Sequence, residues 1–320
     1  MTECTLEQSL PNWLAIRKQL VAPSLTAYSR KSTERMKTAS QIETLLHRKA
    51  LLPKARAGDL NAQFDLGCAY DFERPKRRDR AIYWYQKAAE QGHAEAQNFL
   101  GESYRDGWTL KRDRKKDVGW FQLAALQGSP DAQLSLGYCL FYGNGVRRNV
   151  PGALAWYRRA ARQGNASAQL NIGHMYRRGD GLTQSWKLAI RWYLKAARNK
   201  NVAAMHWLGR IYGGQESYPE DHVKAFHWLS CAASHGDAQS QCELGVCYFH
   251  GLGTPASAPI AAEWYRKAAR QGDEWACYLL GLCYRDGRGV RKNKRVALTW
   301  FKKAAQRGVK EARRAMVRLD

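Results

Sequence analysis

Apolar and small residues recur along most of this chain at helical spacing, in paired short runs punctuated by glycine. Between residues 130 and 164, Leu136 and Leu140 stand four apart and predict an amphipathic helix over 132–142. Gly143-Asn144-Gly145-Val146 ends it, because glycine reaches the left-handed conformation of a helix C-cap without strain. Residues 147–151 read as a loop, and 152–163 as a second helix that stops at Gly164. Gly137 in mid-helix costs about 1 kcal/mol against alanine, so a close helix approach is expected there. Ala160-Ala161 offers a flat patch on the second helix, and Trp156 is expected to fill the space between the two.

The same hairpin pattern returns on a fixed beat. Tryptophan stands at 84, 120, 156, 192, 228, 264 and 300, always 36 residues apart. A Leu-Gly or Ile-Gly pair ends at Gly67, Gly101, Gly137, Gly173, Gly209, Gly245 and Gly281. A closing glycine follows in each unit except the fourth, where Lys200 takes the slot. Self-similarity at about 20–50 residues is the mark of a solenoid. The expected fold is all-α, an α/α superhelical solenoid of seven helix hairpins with helical caps. The units run 58–92, 93–128, 129–164, 165–200, 201–236, 237–272 and 273–308. Residues 1–57 read as a helical extension and cap, broken at Pro11 and Pro23, with 54–58 like the end of a second helix. Residues 309–320 read as a C-terminal capping helix.

Two phrases carry a resemblance. The first, A-x-A-Q-x-x-L-G-x-x-Y-x-x-G-x-G-V, is approached at 94–107, 132–146, 166–181 and 275–290. The second, W-Y-x-K-A-A, appears at 84–89 and 264–269. In these residues the chain resembles the Sel-one-like repeat family, relatives of the tetratricopeptide repeats. The resemblance covers about 58–308 and implies a superhelix for protein–protein assembly, often a bacterial adaptor.

Composition narrows the setting. No apolar run approaches the roughly 18 residues of a membrane span. The first residues include Glu3 and Glu7 where a secretory signal would be basic, so a cytoplasmic protein is expected, with signal-independent export left open. The eight cysteines form no C-x-x-C. Cys139, Cys247 and Cys283 lie two residues after the repeat glycine and read as small buried apolar groups. The paired cysteines of the family's disulfide-stapled secreted members are absent, which fits a reducing compartment.

Candidate chemistry is sparse. The chain carries no G-x-x-x-x-G-K-S/T, H-E-x-x-H, G-x-S-x-G or S-x-x-K. His227, Cys231 and His235 share a helix stripe, but eight residues span about 12 Å of helix and a fourth ligand is missing. No enzyme activity, cofactor or metal is expected.

Net charge is +24, of which 1–57 carry +6 and 309–320 carry +2, leaving +16 on the repeats. Within them the loops between the two helices concentrate Arg77, Arg78, Arg112, Lys115, Arg147 and Arg148, which should line one basic edge. The specific site is expected on the concave face, lined by first helices. There, slots two before and one after the repeat glycine vary between units and share a helix face. Phe99, Tyr138, Tyr142, Asn171, His174, Arg178, Trp207 and Arg210 mix aromatics with arginine, a hot-spot composition. The reading is a non-catalytic scaffold or adaptor that holds a protein or peptide, an acidic one included, in that groove. The alternative is a binder of nucleic acid or another polyanion along the basic edge.

Overall fold

A computed structural model describes residues 48–72, 78–107, 110–214 and 218–317; among these there are helices and no strands. A helical segment at 48–56 comes first. Helices then pair in chain order: α1 (Leu60–Phe72) with α2 (Arg78–Glu90), α3 (Ala94–Asp106) with α4 (Arg114–Leu126), and α5 (Pro130–Tyr142) with α6 (Val150–Arg162). Next come α7 (Ala166–Arg178) with α8 (Trp186–Arg198), and α9 (Val202–Tyr212) with α10 (His222–Ser234). The last are α11 (Ala238–His250) with α12 (Ala258–Gln271), α13 (Glu274–Asp286) with α14 (Lys294–Gln306), and the single α15 (Lys310–Val317). We call the members of each pair helix A and helix B. The chain divides into two compact units, the first ending at Gln91 and the second starting at Gly92. The expected helix breaks at Pro11 and Pro23 lie outside the described residues.

Capping chemistry sets the helix boundaries. Ser129, Asn165, Asn201, Asp237 and Asp273 each accept a backbone N–H three residues on and so start an A helix. Asp113, Asn149, Ser185, Asp221 and Asn293 start B helices in the same way. Each such cap contributes about 1 kcal/mol. Two boundaries differ from the sequence reading for this reason. The helix expected over 132–142 begins at Pro130 because Ser129 caps it. Pro151, expected in a loop, sits in the first turn of α6, where its missing N–H has no partner to lose.

Helix A stops at a left-handed glycine in most pairs, with φ between 71° and 75° at Gly107, Gly143, Gly179, Gly251 and Gly287. The fifth pair departs from this. α9 ends at Tyr212 after 11 residues, and Gly213 has φ −82°. At the end of α8, Lys200 itself takes φ 60°, the positive-φ non-glycine residue among those described. Asn199 and Asn201, its neighbours, keep negative φ and do not absorb the turn.

Within a pair, the mid-helix glycine makes room for one ring. A Cβ on Gly173 would stand 2.6 Å from Cε1 of Tyr193, and the same clash meets Gly101 on Phe121, Gly137 on Tyr157, Gly245 on Tyr265 and Gly281 on Phe301. These rings are the residues that follow the periodic tryptophans, and they are almost wholly buried. The expectation that Trp156 fills the hairpin is therefore corrected. Tyr157 does so, while half-buried Trp156 packs against a core that joins Val118 and Phe121 of the preceding pair to Leu136 of its own. One residue along a helix is a rotation of about 100°. That turn is what divides the labour: the ring packs within its hairpin, and the indole packs on the core shared with the hairpin before. Arg159 and Lys195 lie over the Trp156 and Trp192 rings at 4.4 Å to the centroid.

A ladder of amides runs through the same joints. Gln133 donates to Ala125 O at 3.2 Å and accepts from Gln163 at 2.9 Å. Gln169 repeats this with Ala161 O and Asn199, and Gln241 with Ala233 O and Gln271. Each buried amide is thus satisfied on both sides, as burial demands. Met205 and Cys277 take the glutamine slot in α9 and α13. Cys139, Cys247 and Cys283 are buried as expected, and burial pushes each thiol up to about 11. After α14, Val309, Ala312 and Ala315 add α15 to the terminal core.

Candidate functional site

The A helices bring part of the proposed site together at the joint of the fourth and fifth pairs. The Trp207 ring on α9 meets His174 on α7 edge-on, 5.3 Å between centroids. Arg177 and Arg210 lie over the indole at 4.4 and 4.9 Å. His174 Nδ1 is 2.8 Å from the hydroxyl of Tyr193, the ring packed beneath Gly173. Burial, with Arg177 and Arg178 adding to it, lowers the His174 pKa to about 4, so the imidazole is neutral at pH 7. The result is an aromatic plate flanked by two guanidinium groups and a neutral imidazole. Planar guanidinium stacks well on such faces and still presents donors at its edge.

Tyr138 and Tyr142 form a second pair one hairpin earlier, on α5, with centroids 4.5 Å apart. They are 44% and 54% exposed, which places both rings outside the hairpin core. Phe99 on α3 and Asn171 on α7 are half-buried, and Arg178 is exposed at the end of α7. Sequence reasoning missed Arg177 and Tyr193. Arg177 lies three residues after His174 and shares its face, a spacing that was available to find it. Tyr193 had no such signal, since its hydroxyl reaches His174 only because Gly173 admits its ring.

Next to this cluster His206 is buried on α9, with Nδ1 2.8 Å from Ser240 Oγ and 3.5 Å from Asp237 Oδ2. Burial lowers its pKa, Asp237 opposes that, and Arg210 adds to it. A further buried charge is Asp117 on α4, fully enclosed in a slot held by alanine in every other B helix. Burial raises its pKa to about 6 against the opposing pull of the Val118 N–H, Arg114 and Arg105. Neither carboxylate oxygen has a well-formed hydrogen bond among the described residues.

The basic edge is less regular than expected. Arg77 lies outside the described residues. Arg78 and Lys115 belong to the first turns of α2 and α4, not to loops, because helix B starts earlier than its pattern implied. Arg112, Arg147 and Arg148 are in loops and exposed. Arg148 also donates from Nε to Phe141 O at 3.0 Å, which ties it to the end of α5. Among the described residues no group of three His, Cys, Asp or Glu could hold a metal ion. In the His227–Cys231–His235 stripe, His235 Nδ1 lies 2.8 Å from Cys231 O, a contact within the helix. No described helix is long and apolar enough to cross a membrane.

Comparison with known proteins matches this periodicity. The Sel1 repeat model fits residues 60–93, 94–129, 130–165, 166–201, 202–237, 238–273 and 276–309. A solved protective antigen of uropathogenic Escherichia coli with an SLR fold is 32% identical, with TM-score 0.78 over 85% of this chain. This chain covers 59% of that antigen's length. A Sel1 repeat protein of Oxalobacter formigenes is 28% identical, with TM-score 0.69, over 78% of this chain and 99% of its own. A search of curated proteins returned no match.

Proposed function

Because the chain belongs to the Sel1 repeat family, whose members generally mediate protein–protein interactions, we propose that it is a non-catalytic scaffold gripping a protein or peptide along its A helices. The observation that carries this is the Trp207 plate with His174, Arg177 and Arg210, joined on the same helix layer by the exposed Tyr138–Tyr142 pair. Aromatic and arginine anchors are the residue types that dominate interface energies. The varied slots sit on a frame whose glycines, rings and amides repeat, so partner choice and folding draw on different residues. Recovery of partners from the native host by tagged wild-type protein and by Tyr138→Ala/Arg210→Ala protein tests this. We expect the double substitution to weaken the recovered complex at least about tenfold with helicity unchanged. Equal recovery by both proteins rejects the groove.

A second reading has its own support. Between α4 and α14 the B helices carry eighteen Lys and Arg against two carboxylates, whereas the A helices from α3 to α13 carry five against seven. A polyanion would therefore meet the B layer more than the loop edge. Steep loss of binding with salt would favour this reading.

A further inference from the structure

The amide ladder breaks twice in the second unit, at Met205 with His235 and at Cys277 with Arg307, and at the second break an arginine stands in the gap. At the other joints of the second unit with a complete rung, a Gln or Asn after helix B donates to the buried Gln of helix A. Gln163 and Asn199 also donate to the carbonyls of Gly128 and Gly164, the glycines that close the preceding helices. At the seventh pair the buried Gln becomes Cys277 and its partner becomes Arg307. The hydrogen bond Arg307 makes there is from Nη1 to Cys277 Sγ at 3.8 Å. A thiol sulfur is a weak acceptor, and a guanidinium has five donors to place.

Arg307 folds beside Gly272, where a Cβ would stand 3.2 Å from Nη2. It there lines an open pocket of about 490 Å³ with Arg270, Lys303, Gln306, Trp300 and Ala269. Lys303 Nζ lies over the Trp300 ring at 4.4 Å and forms one wall. None of Arg270, Lys303 and Arg307 has an ion-pair partner among the described residues. The corresponding joint of the third and fourth pairs has Arg162, Lys195 and the amide of Asn199. Among the described residues, only the last joint replaces the amide by an arginine.

Favourable contact with helix C-terminal dipoles accounts for one or two basic residues in this position. It does not account for an arginine that replaces a satisfied amide at the exposed end of the ladder and gains only a sulfur contact in return. We infer that this pocket binds a phosphate monoester group. Three cations outweigh a carboxylate, whereas a phosphate monoester carries −1.5 to −2 near pH 7 and three acceptor oxygens. Two arginine forks match phosphate edges in a bidentate manner, and the lysine adds a point charge. The site lies on the B helices and does not depend on the groove reading.

Equilibrium dialysis of the full chain with radiolabelled inorganic phosphate at low ionic strength tests the site. One saturable site per chain is expected. Arg307→Gln with Cys277→Gln rebuilds the amide rung and should weaken binding at least about tenfold with no loss of thermal stability. Arg270→Ala, an exposed change that leaves the ladder untouched, should weaken it likewise. Arg162→Ala, at the joint that keeps its amide, should leave it unchanged. Competition by O-phosphoserine assigns the group to a soluble monoester, and competition by phosphatidic acid vesicles alone assigns it to a lipid headgroup. No saturable binding, binding that survives in both the rebuilt and the Arg270 variants, or equal loss in the Arg162 variant overturns the inference.

Discussion

At the scale of single residues, the repeat is informative because each slot has six internal comparisons. Lys200 occupies a slot where other units place glycine, and it adopts φ 60°. A non-glycine residue in that region is strained by about 1 kcal/mol, so Lys200→Gly should stabilise the chain by about that amount in urea denaturation. Asp117 is the converse, a charge in an alanine slot. With its pKa raised from 3.8 to about 6, the folded chain retains a proton between those values that the unfolded chain has released. Stability from this group therefore falls as pH rises through that window and levels off above it. Asp117→Ala should remove that slope, and at pH 7.5 it should stabilise by about 1–3 kcal/mol, the usual penalty of an unsatisfied buried polar group. Denaturation midpoints at pH 4.5 and 7.5 for both proteins check the sign.

At the scale of the element, hairpins were legible from the sequence and their interior was not. The glycine beat, the Ala-Ala patches and the small cysteine slots all reported helix contact correctly, because small residues at fixed spacing have few other uses. The periodic tryptophan misled, since size alone does not tell which side of a helix a ring faces. Tyr193, beneath Gly173, is wholly enclosed, whereas Trp192 is half-buried against a core shared between its own pair and the preceding one. Tyr193→Ala should thus cost about 3–5 kcal/mol, and Trp192→Ala clearly less, in chemical denaturation of otherwise identical proteins. Gly173→Ala should also destabilise, by about 1–3 kcal/mol, since its methyl has no space beside the Tyr193 ring. The groove was legible only in part for a related reason. Variable slots pointed to His174, Trp207 and Arg210, but the contribution of Tyr193 comes from a neighbouring helix that no slot pattern on α7 could reveal.

At the scale of the molecule, the excess charge is partitioned by layer. The sequence pattern puts it in loops, whereas helix B begins inside the segment that reads as loop and takes residues such as Lys115 with it. Counted by helix, the cations belong to the B layer, while the A layer of the second unit is close to neutral and holds its guanidinium groups around Trp207. This separates the two readings of function by position as well as by salt. Replacing Arg158, Arg162, Arg191 and Arg198 with glutamate changes exposed B-layer residues alone. Each exposed change should alter stability by no more than about 0.5 kcal/mol, so the fold should persist by circular dichroism. If the A layer holds the partner, recovery from the native host stays at the wild-type level in the four-fold variant and is lost with Tyr138→Ala/Arg210→Ala. Polyanion binding would give the opposite pattern, with a shallower dependence of binding on salt in the four-fold variant because fewer counterions are released. We expect the first outcome, since the aromatic anchors are concentrated on A helices and the B-layer tryptophans are already covered by their own lysines and arginines.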